Sequence, residues 1–214
     1  MPGAETRLGD DERGDLPLLS ETEIAERESR NGVLQFDLML AMIGRAIATG
    51  EPFQLLPSML IELNALAVDG LEQVPGAYRT GPVFIGSSKH TPPDWRDVPR
   101  LVEEMCDYVN RRWITATSLH LAAYCMWRIN WIHPFINGNG RTSRAAAYLV
   151  LCIHSSVLLP GHPTIPETIA TDRTAYYRAL EKADKAARYG RVNVTAMEEL
   201  LGSHLAIQLA SGPP

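Results

Sequence analysis

The chain has 214 residues, enough for one domain with a buried core, and its 45% hydrophobic content excludes a largely disordered protein. The formal net charge of −5 is concentrated at the start, where residues 1–28 hold nine acidic residues against three arginines. The remainder lacks the basic excess that binding a nucleic-acid backbone requires. Three isolated cysteines, Cys106, Cys125 and Cys152, contain no CxxC pair; they read as small core residues of a reducing, cytoplasmic protein and not as a disulfide or zinc framework. No apolar run reads as a bilayer span or signal peptide, so no membrane partner is expected.

Residues 1–20 mix glycine, proline and charge without periodicity and read as a mobile tail. From Glu21 the pattern is helical, with Leu34, Leu38, Met42 and Ala46 at helical spacing, and a second helix is predicted over Ser58 to Val68. The stretch 75–93 is different. It combines glycines and prolines with the apolar run Val83-Phe84-Ile85 and the turn residues Gly86, Ser87 and Ser88, which predicts a small β-hairpin flap closed by Pro92-Pro93. Leu101, Met105 and Tyr108 begin an amphipathic helix, and another runs from Leu119 to Asn130. Further helices are predicted over Arg141 to Ser155, Asp172 to Ala187 and Val194 to Leu209, with a loop from Pro160 to Pro166 and a tail at 211–214. The expected class is mainly α, a helical bundle with one hairpin.

The segment His133-Pro134-Phe135-Ile136-Asn137-Gly138-Asn139-Gly140-Arg141-Thr142-Ser143-Arg144 carries the chemistry. Gly138 and Gly140 allow a bulky ligand to approach the backbone. The N–H groups of the helix that follows lack intrahelical partners and suit an anion. Asn139 is a natural N-cap and can donate to a phosphate oxygen. Arg141 and Arg144 are three apart, so they share a helix face and lean back toward that end. Such a set of donors exceeds what one phosphate needs and suits a polyphosphate. His133, just ahead of it, is a candidate general base, because the histidine pKa lies near working pH. Singly, these residues have ordinary readings: a buried structural histidine, a common turn, a solvated arginine face. Their combination within twelve residues argues against those readings. No Lys-Ser/Thr follows the glycines, and no GxGxxG is present, so neither phosphate-binding loop of those types applies.

This segment resembles the motif of the Fic family, HPFx(D/E)GNGRxxR, matched at His133, Pro134, Phe135, Gly138, Asn139, Gly140, Arg141 and Arg144. The wider resemblance runs from about Ala25 to Leu209 and implies the Fic-fold helical bundle as one domain over 21–210, with Tyr78-Arg79-Thr80 leading into the flap. It implies a protein adenylyltransferase. His133 would deprotonate a Ser, Thr or Tyr hydroxyl of a target protein, the hydroxyl would attack the α-phosphate of ATP in line, and pyrophosphate would leave. Gly138, Asn139 and Gly140 would stabilise the transferring phosphoryl oxygens, with Arg141 and Arg144 on the β- and γ-phosphates. Ile85, Gly86, Ser87 and Ser88 would cover the nucleotide, the flap edge taking the target by strand addition. Tyr176, Tyr177 and Asp184 would lie near the adenine.

The chain departs from the family at position 137, where Asn replaces the Asp or Glu that binds Mg²⁺. A neutral amide is a poorer ligand for a hard cation, so magnesium dependence is expected to be weakened. That departure keeps two alternatives open: a nucleotide-binding regulator with little or no transfer activity, and transfer from another nucleotide or phosphate-containing donor. Many members also carry an inhibitory helix of pattern (S/T)xxxE(G/N). Here it falls on Arg27 to Gly32, with Asn31 in the glutamate slot. Thr22 to Glu26 is a second candidate, but Arg27 follows it; Thr195 and Glu199 have the right spacing near the C-terminus, but Leu200 follows. Asn31 and Glu199 are thus the candidate regulatory positions. A homodimer or an antitoxin-like regulator remains open as a partner.

Overall fold

The computed structural model describes residues 19–212 except 87 and 89. The expected tail at 1–20 therefore lies almost wholly outside the described residues, as do Ser87 and the last two residues of the 211–214 tail. Among the described residues eight α-helices follow in order: α1 Glu21–Thr49, α2 Pro57–Ala67, α3 Val98–Arg112, α4 Ser118–Ile132, α5 Asn139–His154, α6 Ile165–Thr171, α7 Thr174–Ala187 and α8 Thr195–Ala210. The chain is mainly helical, as expected, and six of the seven longer helices begin and end within about two residues of their predicted limits where limits were predicted.

Local chemistry explains several of these ends. Ser20 and Glu23 form a reciprocal capping box at the start of α1, and Gly50 closes that helix in the left-handed region. Pro57 opens α2, where a missing N–H costs nothing. Thr117 accepts the His120 N–H to cap α4.

The core is built around α5. Thirteen of its sixteen residues are buried, which marks it as the central helix, and the run from Ala145 to Ile153 buries every side. It packs against α4, α1, α2 and α6, while α7 and α8 close the far side of α4. Met39 and Ile43 of α1, Leu60 and Leu63 of α2, Trp127 and Ile129 of α4, and Met197 and Leu201 of α8 meet in the same cluster.

Three expectations need correction. The loop predicted at Pro160 to Pro166 ends in a short helix, α6; its Thr164–Glu167 capping box and early Pro166 are start signals that the prolines obscured. No hairpin ladder is found among the described residues, which show no strand, only an isolated antiparallel bridge between Tyr78 and Phe135 and a turn in which the Ser88 N–H reaches the Ile85 carbonyl at 3.0 Å. Pro82 on one arm and Pro92-Pro93 on the other lack the N–H groups a ladder would need. Finally, α1 is by length and composition long and apolar enough to cross a membrane, which the sequence did not suggest. A helix that packs on a core can have the same length and composition. Here α1 lies on α2 and α5 and buries Asn31 and Gln35, both bonded to α2-side carbonyls.

Candidate active site

The loop between α4 and α5 is set by a histidine in an unusual conformation. His133 is the C-cap of α4, at φ 51° and ψ 60°, and its N–H still reaches the Ile129 carbonyl at 2.8 Å. A proline at 134 disfavours the right-handed helical region for the preceding residue, and histidine tolerates the left-handed one better than most. The conformation is held from outside. Arg79 is 2% exposed, and its guanidinium donates Nε to the His133 carbonyl at 2.8 Å and Nη2 to the Ile132 and Pro93 carbonyls at 3.3 and 2.6 Å, with Nη1 on Gly81. One side chain thus ties the flap stem to the end of α4. Main-chain pairing of the Arg79 N–H with the Pro134 carbonyl at 2.9 Å repeats the link.

The next residues form a closed loop. Asn139 accepts the Phe135 N–H at 3.0 Å and donates Nδ2 to the Phe135 carbonyl at 2.8 Å. This corrects the expected role of Asn139. Its side chain is spent on the loop, it is the first residue of α5, and the N-cap is Gly138. Gly138 has φ 75°, and a Cβ there would lie 2.8 Å from Val68 Cγ1 and 2.9 Å from Asn64 Nδ2, so conformation and close packing both demand glycine. Asn64 also donates to the Asn137 carbonyl at 2.9 Å, which pins the loop to α2.

A cavity of about 210 Å³ opens above this loop. His133, Asn137, Gly138, Asn139, Gly140 and Arg144 line its lower end, with Ile85, Ser88 and His90 from the flap. Arg173, Tyr176, Tyr177, Leu180, Glu181 and Asp184 form one stripe along α7 at the other end. Ile85, Ser88, Tyr176, Tyr177 and Asp184 are therefore gathered with the motif, although the sequence offered them only through resemblance. Tyr176 is fully packed, its hydroxyl 2.8 Å from Asn130 Nδ2 and 3.3 Å from Ser143 Oγ, whereas Tyr177 is 42% exposed. Asp184 accepts the Trp127 indole N–H at 2.9 Å; burial pushes its carboxyl upward, and that bond opposes the rise.

The two motif arginines diverge. Arg144, 6% exposed, lines the cavity, but Arg141 does not. Arg141 turns toward α1 and α2, donating Nη1 to the Ala67 carbonyl at 2.6 Å and approaching Glu28 Oε1 at 3.6 Å. Of the two regulatory candidates, Asn31 donates to the Asp69 carbonyl at 2.8 Å and joins α1 to the end of α2, while Glu199 is exposed on α8; neither lines the cavity. The acidic residue that does reach a motif arginine, Glu28, was not singled out by pattern. Arg79, His90, Asn130 and Arg173 were also missed. Arg173 stands at i−3 and i−4 from the tyrosine pair, so helical spacing could have found it. Arg79 stands in the run Tyr78-Arg79-Thr80 that leads into the flap, but nothing in that run points to the carbonyls it binds at the end of α4.

His133 is deeply buried, and desolvation pulls its pKa down from 6.5 to about 4; the Asn130 carbonyl opposes this, while Arg79 and His90 add to it. The ring is therefore neutral across the physiological range and ready to accept a proton. His90 donates Nε2 to the Trp131 carbonyl at 2.7 Å, which fixes its tautomer when neutral.

Fold and site together define a helical domain whose central helix starts at a donor-rich loop beside a buried neutral histidine. The model of the Fic/DOC family matches residues 54–151, and with the relatives and solved structures that follow it supports a Fic domain family protein. A relative in Drosophila willistoni, Protein adenylyltransferase Fic, is 27% identical over 164 residues, covering 74% of this chain and 30% of its own. Its counterpart in Drosophila persimilis is 28% identical over 167 residues, with 74% and 29% covered. The chain thus spans less than a third of the length of these curated relatives. Among solved structures, a Fic domain containing signaling protein from Bacteroides thetaiotaomicron matches with a TM-score of 0.68 at 20% identity, over 86% of this chain and 70% of its own. A Fic family protein from Desulfovibrio desulfuricans matches at 0.64 and 23%, over 90% and 54%. At those identities the likeness establishes the fold.

Proposed function

We propose that this domain is a protein adenylyltransferase that transfers AMP from ATP to a Ser, Thr or Tyr hydroxyl of a target protein, releasing pyrophosphate. The observation that carries this reading is the shared cavity: a neutral, buried His133 lies in one enclosure with the open first turn of α5, Arg144 and the α7 tyrosine stripe. The N–H groups at the start of α5 and the Arg144 guanidinium would meet phosphate oxygens, each charge-assisted contact contributing roughly 1.5–3 kcal/mol. His133 would take the target hydroxyl proton as the oxygen attacks the α-phosphorus and the bond to the pyrophosphate oxygen breaks. Tyr177 and Leu180 offer apolar faces for the base.

The segment at 82–85, with Phe84 80% exposed, would present its backbone edge to the target chain. The three free, buried cysteines fit a reducing compartment, which supports a cytoplasmic setting for this domain.

Incubation with ATP labelled at the α-phosphate, in parallel with H133A, tests the reading. Label should appear on protein with the wild type and vanish with H133A. Label that persists in H133A removes His133 from the chemistry. The position-137 amide favours one second reading, a nucleotide-binding regulator; it predicts ATP binding with no transfer in either protein.

A further inference from the structure

Magnesium, implied by the family resemblance, needs oxygen ligands, and among the side chains of the loop at 136–141 the one oxygen not stapled within the Phe135–Asn139 ring is Oδ1 of Asn137, a residue that lines the cavity. That oxygen is already held. It accepts the Gly138 N–H at 2.7 Å and faces Arg141 Nη2 at 3.4 Å. Both partners can only donate, so the atom on which they converge is oxygen, whichever way the amide is drawn. A carboxylate in this place would keep a second oxygen for a cation. An amide keeps an NH₂ group, which is a donor and cannot ligate one.

The surroundings supply no replacement. Among the described residues no group of three or more His, Cys, Asp or Glu could hold a metal. The two carboxylates that line the cavity, Glu181 and Asp184, stand on α7 and not on the phosphate loop, and Asp184 is engaged by Trp127. What surrounds the lower end is a set of donors, the first-turn amides of α5 and Arg144, and Arg173, just before α7, lines the same cavity. Such a set suits a bare anion.

We infer that the loop binds the nucleotide's phosphates without a metal ion, the Asn137 amide donating an N–H to a phosphate oxygen where the family's carboxylate holds magnesium. This deepens the nucleotide reading above and rests on it. A phosphate chain stripped of its metal carries more negative charge, so it gains more from arginines and a helix N-terminus than its magnesium complex does.

Calorimetric titration of ATP in EDTA and in excess magnesium chloride, with wild type, N137D and N137A, tests this. Wild-type Kd in EDTA should equal its magnesium value within about threefold, or be lower. N137D places a carboxylate beside the phosphates and should bind about tenfold more weakly in EDTA, recovering with magnesium. N137A loses the donor and should bind more weakly in both buffers, with no response to the metal. Wild-type binding that tightens about tenfold or more on adding magnesium overturns the inference. So does an N137D variant as indifferent to the metal as wild type, or an N137A variant with unchanged affinity. No ATP binding by wild type in either buffer overturns the nucleotide reading itself, and the inference with it.

Discussion

His133 shows how one side chain's chemistry is set by neighbours remote in sequence. Its identity and place in the motif can be read from the chain. Its left-handed backbone and its lowered pKa cannot, because Arg79 lies 54 residues earlier and His90 comes from the flap. The pKa of about 4 lies below the ordinary 6.5, so between those values the unfolded chain binds a proton that the folded one does not. Stability therefore rises with pH across that window and is lost as pH falls below about 6.5. The same displacement sets the rate. The acidic limb of kcat/KM, which reports the free enzyme, should fall near pH 4 to 5, leaving the profile flat from pH 8 to about 5.5. A profile of α-labelled transfer at low ATP concentration checks it, and a limb centred near 6.5 would show that His133 is solvated and not desolvated in the working enzyme. The amide at 137 was equally visible in sequence as a departure. What stayed hidden was that its oxygen is spent on Gly138 and Arg141, since hydrogen bonding within a loop leaves no trace in residue spacing.

At the scale of elements, periodicity served the long helices well. It failed where pairing partners decide the outcome. Val83-Phe84-Ile85 has the composition of a strand, yet among the described residues no backbone forms a ladder with it, and prolines on both arms remove N–H groups a ladder would use. The flap is held instead by the Arg79 guanidinium, which bridges Gly81 and Pro93 of the flap stem to Ile132 and His133 of α4. Removing this group leaves four carbonyls without that donor and frees the His133 backbone. R79A should lower kcat for transfer by about tenfold or more, since small displacements of a reacting group are costly. ATP affinity should change little, because Arg79 does not line the nucleotide cavity. R79K keeps the charge but only part of the fork, and should recover part of the rate. A kcat equal to wild type in R79A, with the protein folded by circular dichroism, would show that the flap is anchored by other means.

Across the whole molecule, the bundle relies on polar residues that no hydrophobic pattern predicts. Gln208 is the clearest, near the end of α8 and fully buried. Its Oε1 accepts the Ile165 N–H at 3.0 Å, and its Nε2 donates to Tyr148 Oη at 2.8 Å and the Leu159 carbonyl at 3.1 Å. One amide thus joins α8 to the start of α6, to the loop before it and to the central helix α5. On the sequence, a glutamine between Ile207 and Leu209 reads as a solvated position, because burial on α8 depends on a loop more than forty residues away. Replacing it with leucine keeps the bulk and strands a buried N–H, a carbonyl and a hydroxyl, each costing about 1–3 kcal/mol if unsatisfied. Partial relaxation and access to water reduce the sum, so Q208L should lose roughly 2–4 kcal/mol in urea unfolding. None of these groups lines the nucleotide cavity, so ATP affinity of the folded fraction should stay at the wild-type value. Equal unfolding midpoints for Q208L and wild type would mean that α6 and the loop before it are held by apolar packing alone, through Ile165 and Ile169, and that the buried amide contributes nothing net to the join.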